Sequence, residues 1–258
     1  MRGEVHGGPP GTIITWLHGL VKETELGQFF GFDTEYRHLG QFWFEAVVFS
    51  IIIVIVLSAV AVLATRRQYK VPTRFQNLLE SIVELLNKLV VGLIGPHGTR
   101  YLPYLGTLFI YIFFMNILGI IPAFRSPTVT LSTTGALGIT TIIVVQIYAI
   151  QANGVGGYLK HFWGPIKWIG PLMVIVHIFG ELAKPVSLSL RLFGNIFGED
   201  TIIENLLHMG GWVPLHLPML FFALFTSFLQ AFIFTALSSI YIAFATAHEN
   251  GGERHEGR

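Results

Sequence analysis

The chain has 258 residues, 52% of them apolar and only 12% charged, with a formal net charge of +1. Soluble domains carry about a quarter charged residues, so a water-exposed globule is excluded, and so small a net charge excludes the clustered basic face that nucleic acid needs. With no cysteine there is no disulfide framework, thiolate metal site or thiol nucleophile.

In chain order, residues 1–41 mix Gly, Pro, Glu and His without an early apolar run, so this N-terminal segment does not read as a signal peptide. A membrane helix needs roughly 20 mostly apolar residues to cross about 30 Å of hydrocarbon. Residues 42–65 meet that test and are followed at once by Arg66, Arg67 and Lys70. Residues 72–94 instead alternate with helical period. Phe75, Leu78, Leu79, Ile82, Val83, Leu86, Leu89, Val90 and Leu93 fall on one side, and Arg74, Gln76, Asn77, Glu80, Glu84 and Lys88 on the other. Pro72 stands at a tolerated first-turn position. Such a helix either lies along the membrane surface or packs on another subunit. Residues 102–124 and 131–151 are the next two spans, and 214–248 the last. The expected fold is therefore an all-α integral membrane protein with about five transmembrane helices and one amphipathic surface helix. A membrane domain over 42–248 precedes a polar tail at 249–258.

The remaining span, 171–209, starts apolar and then carries Glu181, Lys184, Arg191, Glu199, Asp200 and Glu204. A mid-membrane arginine costs at least ~2.5–3.5 kcal/mol. Arg191 is about equally far from both ends of this span, so stretching to an interface does not relieve that cost. On a helix, Lys184, Arg191, Asn195 and Glu199 share one stripe, while Asp200 and Glu204 form a second acidic pair one turn apart. Two readings stand for Arg191. It pairs internally with Glu181 or Glu199, or it meets an acid on another subunit while the flanking polar residues line water routes for protons. Continuous helices over 171–209 and 214–248 would far exceed the hydrocarbon thickness, so both should be strongly tilted or broken. Pro185 is the place for a bend.

The bias of Lys and Arg toward the loops after the first and third spans puts those loops inside the cell. The N-terminus is then outside, and the tail with Arg254 and Arg258 cytoplasmic. No internal repeat is visible, unlike many secondary transporters. His177, His208 and His216 form no close ligand pair at helical spacing, against a haem or metal reading. There is no phosphate loop or nucleophile elbow. No cofactor is expected.

The stretch LAKPVSLSLRLFGN at 182–195 and LQAFIFTALSSIYI at 229–242 resemble the signatures of subunit a of F-type ATP synthases. VPTRFQNLLESIVELL at 71–86, NILGIIP at 116–122 and SPTVTLSTTGAL at 126–137 are similar to its earlier regions. The resemblance implies a non-catalytic stator of the membrane Fo sector that forms two proton half-channels against a rotating ring of subunit c. It also implies contact with the subunit b peripheral stalk, other synthase subunits and lipid, in a bacterial plasma membrane. By the same resemblance Arg191 is the essential arginine facing the ring carboxylate. Asn195 and Gln230 match polar residues near it and the outer half-channel, and Lys184 and Pro185 match the basic residue and proline before it. The outer acidic residue aligns to Asp200, with Glu199 adjacent and better placed on the arginine stripe. A histidine or carboxylate of some members is Ala223 here, so Glu204 or His208 is the candidate replacement. An early glutamate is His177 here, with Glu181 one turn later as the other candidate for the inner route. Acidic or amide groups of some members at the start of the 131–151 span are replaced by Ser132, Thr133 and Thr134. Two other classes stay open: an autonomous channel or transporter, and a purely structural membrane scaffold.

Overall fold

The computed structural model describes residues 37–65, 74–120, 126–163, 170–209 and 216–246. The loop cations Arg66, Arg67, Lys70, Arg125 and Lys167 lie outside these residues, as do the polar tail and most of the N-terminal segment. The described elements are helices throughout: α1 (Arg37–Thr65), α2 (Arg74–Ile94), α3 (Leu102–Leu118), α4 (Leu131–Trp163), α5 (Gly170–Met209) and α6 (His216–Thr246). Short 3-10 turns at Pro96–Tyr101 and Pro127–Val129 lead into α3 and α4. Five helices are long and apolar enough to cross a membrane, and α2 is not among them.

In lipid, apolar side chains gain little by leaving the solvent, so helices cohere through close packing and interhelical hydrogen bonds. The main core lies where α3, α5 and α6 meet. Leu108, Phe109 and Ile112 of α3, Leu188, Leu192 and Ile196 of α5, and Ala231 and Phe234 of α6 are buried together. A second cluster joins Val90, Tyr101, Leu105, Val145 and Ile242. α2 enters both clusters through Leu86 and Val90, while Leu78, Ile82, Val83, Leu85 and Leu93 stay exposed. Its apolar stripe is thus shared between the bundle and the outside. On the polar side Glu84 and Lys88 pair at 2.8 Å, one turn apart. The Lys88 ammonium holds the Glu84 carboxyl below the usual carboxylate range. α1 sits at the edge against α3 and exposes Ile51, Ile52, Val54, Ile55 and Val56, a surface suited to lipid.

Two boundaries differ from the sequence expectation. α3 ends at Leu118, where Ser126 and Thr128 fold back on it: Ser126 Oγ donates to the Met115 carbonyl at 3.0 Å and Thr128 Oγ1 to Asn116 Oδ1 at 2.9 Å. The Ser126 hydroxyl thereby occupies a main-chain carbonyl of the last turn of α3. α4 runs past residue 151 to Trp163, but across a break at Gly154 with φ 68° and ψ 162°. α5 stays helical through Pro185, and Ser189 Oγ donates to the Pro185 carbonyl at 2.7 Å. At 40 residues α5 is about 60 Å long by the ~1.5 Å rise per residue. At 31 residues α6 also exceeds the ~30 Å of hydrocarbon, so a membrane accommodates both only at a steep incline or with projecting ends.

Gly138 sets how closely α4 and α5 approach. A β-carbon there would meet the Ser189 hydroxyl and stand 2.8 Å from the Pro185 carbonyl oxygen. A main-chain atom cannot swing aside, so overpacking of about 1–3 kcal/mol follows from even one methyl group. Gly138→Ala is expected to lower the melting temperature of the detergent-solubilised protein and its abundance in membranes. Unchanged melting would show that α4 and α5 are not in close contact at this point.

Candidate functional site

α5 carries nearly all the charge inside the membrane-crossing part of the bundle, and its neighbours α4 and α6 supply the partners. At its N-terminal half, Glu181 accepts from Gln146 Nε2 of α4 at 2.6 Å. Its other oxygen accepts from Lys184 Nζ one turn on. The Lys184 ammonium also lies over the Tyr241 ring of α6, 5.3 Å from its centroid. Gln146 in turn accepts from the Tyr158 hydroxyl at 2.8 Å. One carboxylate is thus held by groups from two helices, with a third helix against its ammonium partner. His177 Nδ1 donates to the Met173 carbonyl at 2.9 Å on its own helix.

At the C-terminal half, Asn195 Nδ2 donates to Gln230 Oε1 at 2.8 Å, joining α5 to α6. Asn195 is exposed and Gln230 fully buried behind it. One turn further, Glu199 Oε2 accepts from Thr226 Oγ1 at 2.6 Å. Thr226 and Gln230 are four residues apart on α6, as Asn195 and Glu199 are on α5, so two rungs form a short polar ladder between the helices. Interhelical hydrogen bonds in membranes average only about 0.6 kcal/mol. The rungs therefore place side chains more than they stabilise the bundle. Ala223 is buried at the next turn of α6. The side chains of Glu204 and His208 lie outside the described residues.

Arg191 lies between the two groups and is exposed. Among the described residues its guanidinium forms no hydrogen bond and no ion pair. Tyr241 is within electrostatic reach of both Arg191 and Glu181, but neither Glu181 nor Glu199 closes on the arginine. Of the two readings open from sequence, internal pairing with Glu181 or Glu199 is not what the structure has. Around Arg191 the same face is made of small residues: Gly180, Ala183, Ser187 and Gly194 are exposed, and Gly198 is half-buried. A β-carbon at Gly180, Gly194 or Gly198 would meet nothing within 4 Å.

The sequence reading passed over Gln146, Tyr158, Thr226 and Tyr241. An uncharged amide such as Gln146 inside an apolar span was the available signal, because a polar side chain there asks for a partner. Thr133 and Thr134 bond only within their own turn, to Thr130 and Leu131. No cluster of three or more metal-ligating side chains occurs among the described residues.

Known sequences are similar to this one over most of its length. The family described as ATP synthase A chain matches residues 47–243. An ATP synthase subunit a of Protochlamydia amoebophila is 40% identical over 222 residues, covering 80% of this chain and 82% of the relative. One of Moorella thermoacetica is 43% identical over 212 residues, covering 81% and 94%. A third, ATP synthase subunit a 2 of Syntrophotalea carbinolica, is 37% identical over 236 residues, covering 91% and 96%. With the match spanning most of each partner and taking in both polar groups of α5, the chain belongs to the ATP synthase A chain family.

Proposed function

We propose that this chain is the stator of the membrane sector of an ATP synthase, guiding protons to and from carboxylates on a rotating ring, with Arg191 at the crossing point. The observation that carries this reading is an exposed guanidinium that forms no ion pair among the described residues, beside two carboxylates that each already have donors within the chain. A cation at membrane depth persists when it is paired or faces water, and an acid from outside the polypeptide would supply that pair for Arg191. An opposite charge close by favours the ionised carboxylate. A ring acid arriving at Arg191 therefore gives up its proton and cannot carry it straight through.

The small-residue face around Arg191 supports the same reading, since small side chains let helices approach closely. With the N-terminus outside, α5 starts on the inner side. Lys184, Glu181 and His177 then belong to the inner route, and Asn195, Gln230, Glu199, Asp200 and Glu204 to the outer one. Of the two adjacent acids we assign the outer carrier role to Glu199, because it faces α6 through Thr226 beside the Asn195–Gln230 rung. The subunit performs no covalent chemistry in this reading. Its partners are the ring, the peripheral stalk and lipid.

Arg191→Ala is expected to reduce ATP synthesis in energised vesicles to background while the chain still inserts. Synthesis at the native rate would overturn the reading in favour of a structural scaffold. Proton movement by the purified chain without a ring would instead favour an autonomous channel. Gly194→Leu separates ring contact from lipid contact: a β-carbon there meets nothing within 4 Å, so stability is expected to hold while coupled synthesis is lost. If synthesis survives, that face meets lipid. Glu199→Gln is expected to slow synthesis roughly tenfold or more, the scale of losing a positioned proton carrier, with Asp200→Asn milder; the reverse order would move the role to Asp200.

A further inference from the structure

Gln146 and Tyr158 sit on the same helix, yet their side chains touch at 2.8 Å. In an unbroken α-helix residues twelve apart stand about 18 Å apart along the axis, beyond the joint reach of these two side chains. The reversal at Gly154 closes that gap. Its backbone, at φ 68° and ψ 162°, lies in a region that essentially only glycine adopts. The residue before it is anchored: Asn153 Nδ2 donates to the Ala149 carbonyl at 3.1 Å and to the Ala245 carbonyl of α6 at 2.8 Å. The chain is thus turned back at a fixed point, and Tyr158 comes down on Gln146.

What Tyr158 does there follows from the chemistry of an amide. Gln146 has one oxygen that accepts and one NH2 that donates. The Tyr158 hydroxyl donates to the oxygen, which commits the NH2 to Glu181. Lys184 takes the other carboxylate oxygen. Without the Tyr158 hydroxyl the amide can rotate half a turn and set its oxygen against the carboxylate, which repels it. Proton transfer needs heavy atoms within about 2.6–3.2 Å, so a carboxylate allowed to swing spends less time where it can act.

We propose that Gln146 and Tyr158 are positioning residues of the proton path, acting through Glu181 by fixing where its carboxylate stands. The inference rests on the reading of Glu181 as part of the inner route. Tyr158 orders the Gln146 amide through its hydroxyl and is itself within electrostatic reach of Glu181.

The test uses membrane vesicles holding the assembled complex. Tyr158→Phe keeps the ring and removes only the hydroxyl. Proton flux and coupled synthesis are expected to fall roughly three- to tenfold, the scale of one hydrogen bond, with complex abundance unchanged. Infrared carboxylate bands of Glu181, identified by their loss in Glu181→Gln, are expected to shift in Tyr158→Phe. A role in packing alone would leave those bands in place, and either native flux or unmoved bands overturns the proposal. Arg191→Ala in the same vesicles separates two failures. If Arg191→Ala is inactive while Tyr158→Phe behaves as native, the positioning role falls and the proton-path reading stands. If Arg191→Ala is active, the reading beneath it falls.

Discussion

A cation inside a membrane must be matched by an anion or by water, and in this chain the matching is left incomplete at one residue. Among the described residues Arg191 has no acid paired with it, although Glu181 and Glu199 lie on the same helix within three turns of it. The rest of the bundle is arranged around that omission. α4 and α6 reach toward α5 with amides and hydroxyls, and each of those groups engages a carboxylate or another amide. None engages the guanidinium. The asymmetry matters because an arginine locked to an internal acid would hold helices together and do nothing else.

The polar groups also divide the helix in two. Glu181, Lys184 and Gln146 gather on one side of Arg191, and Asn195, Gln230, Glu199 and Thr226 on the other. Between them, Leu188 and Leu192 are buried in the apolar core. No hydrogen bond among the described side chains crosses that gap on α5. Two polar regions separated by packed leucines and one cation are what a two-sided ion path requires. Continuous water past Arg191 would short-circuit it.

How much of this was readable beforehand depended on the range of the interaction involved. Apolar runs of membrane length are local, so the five long helices were legible from Ala46, Leu217 and their neighbours. The charged stripe of α5 was legible for the same reason, since Lys184, Arg191, Asn195 and Glu199 repeat at helical spacing. The pairing of Asn195 with Gln230, 35 residues apart, needs the packing of α5 on α6, which no local pattern encodes. Gln146 was lost among apolar neighbours. Tyr158 was lost because a span test stops at an average hydropathy and does not see a chain reversal. The end of α3 lies where Ser126 and Thr128 fold back onto Met115 and Asn116, and the apolar residues after Leu118 concealed it.

The smooth face of α5 has a mechanical consequence. Helices normally lock together because side-chain ridges of one settle into grooves of the other, which selects a few registers and resists sliding between them. Gly180, Ala183, Ser187, Gly194 and Gly198 raise almost no ridge. A neighbour pressed against them feels little corrugation and can be displaced sideways without climbing from notch to notch. Low friction would then be written into the choice of glycine, with Arg191 standing exposed above that track as its charge.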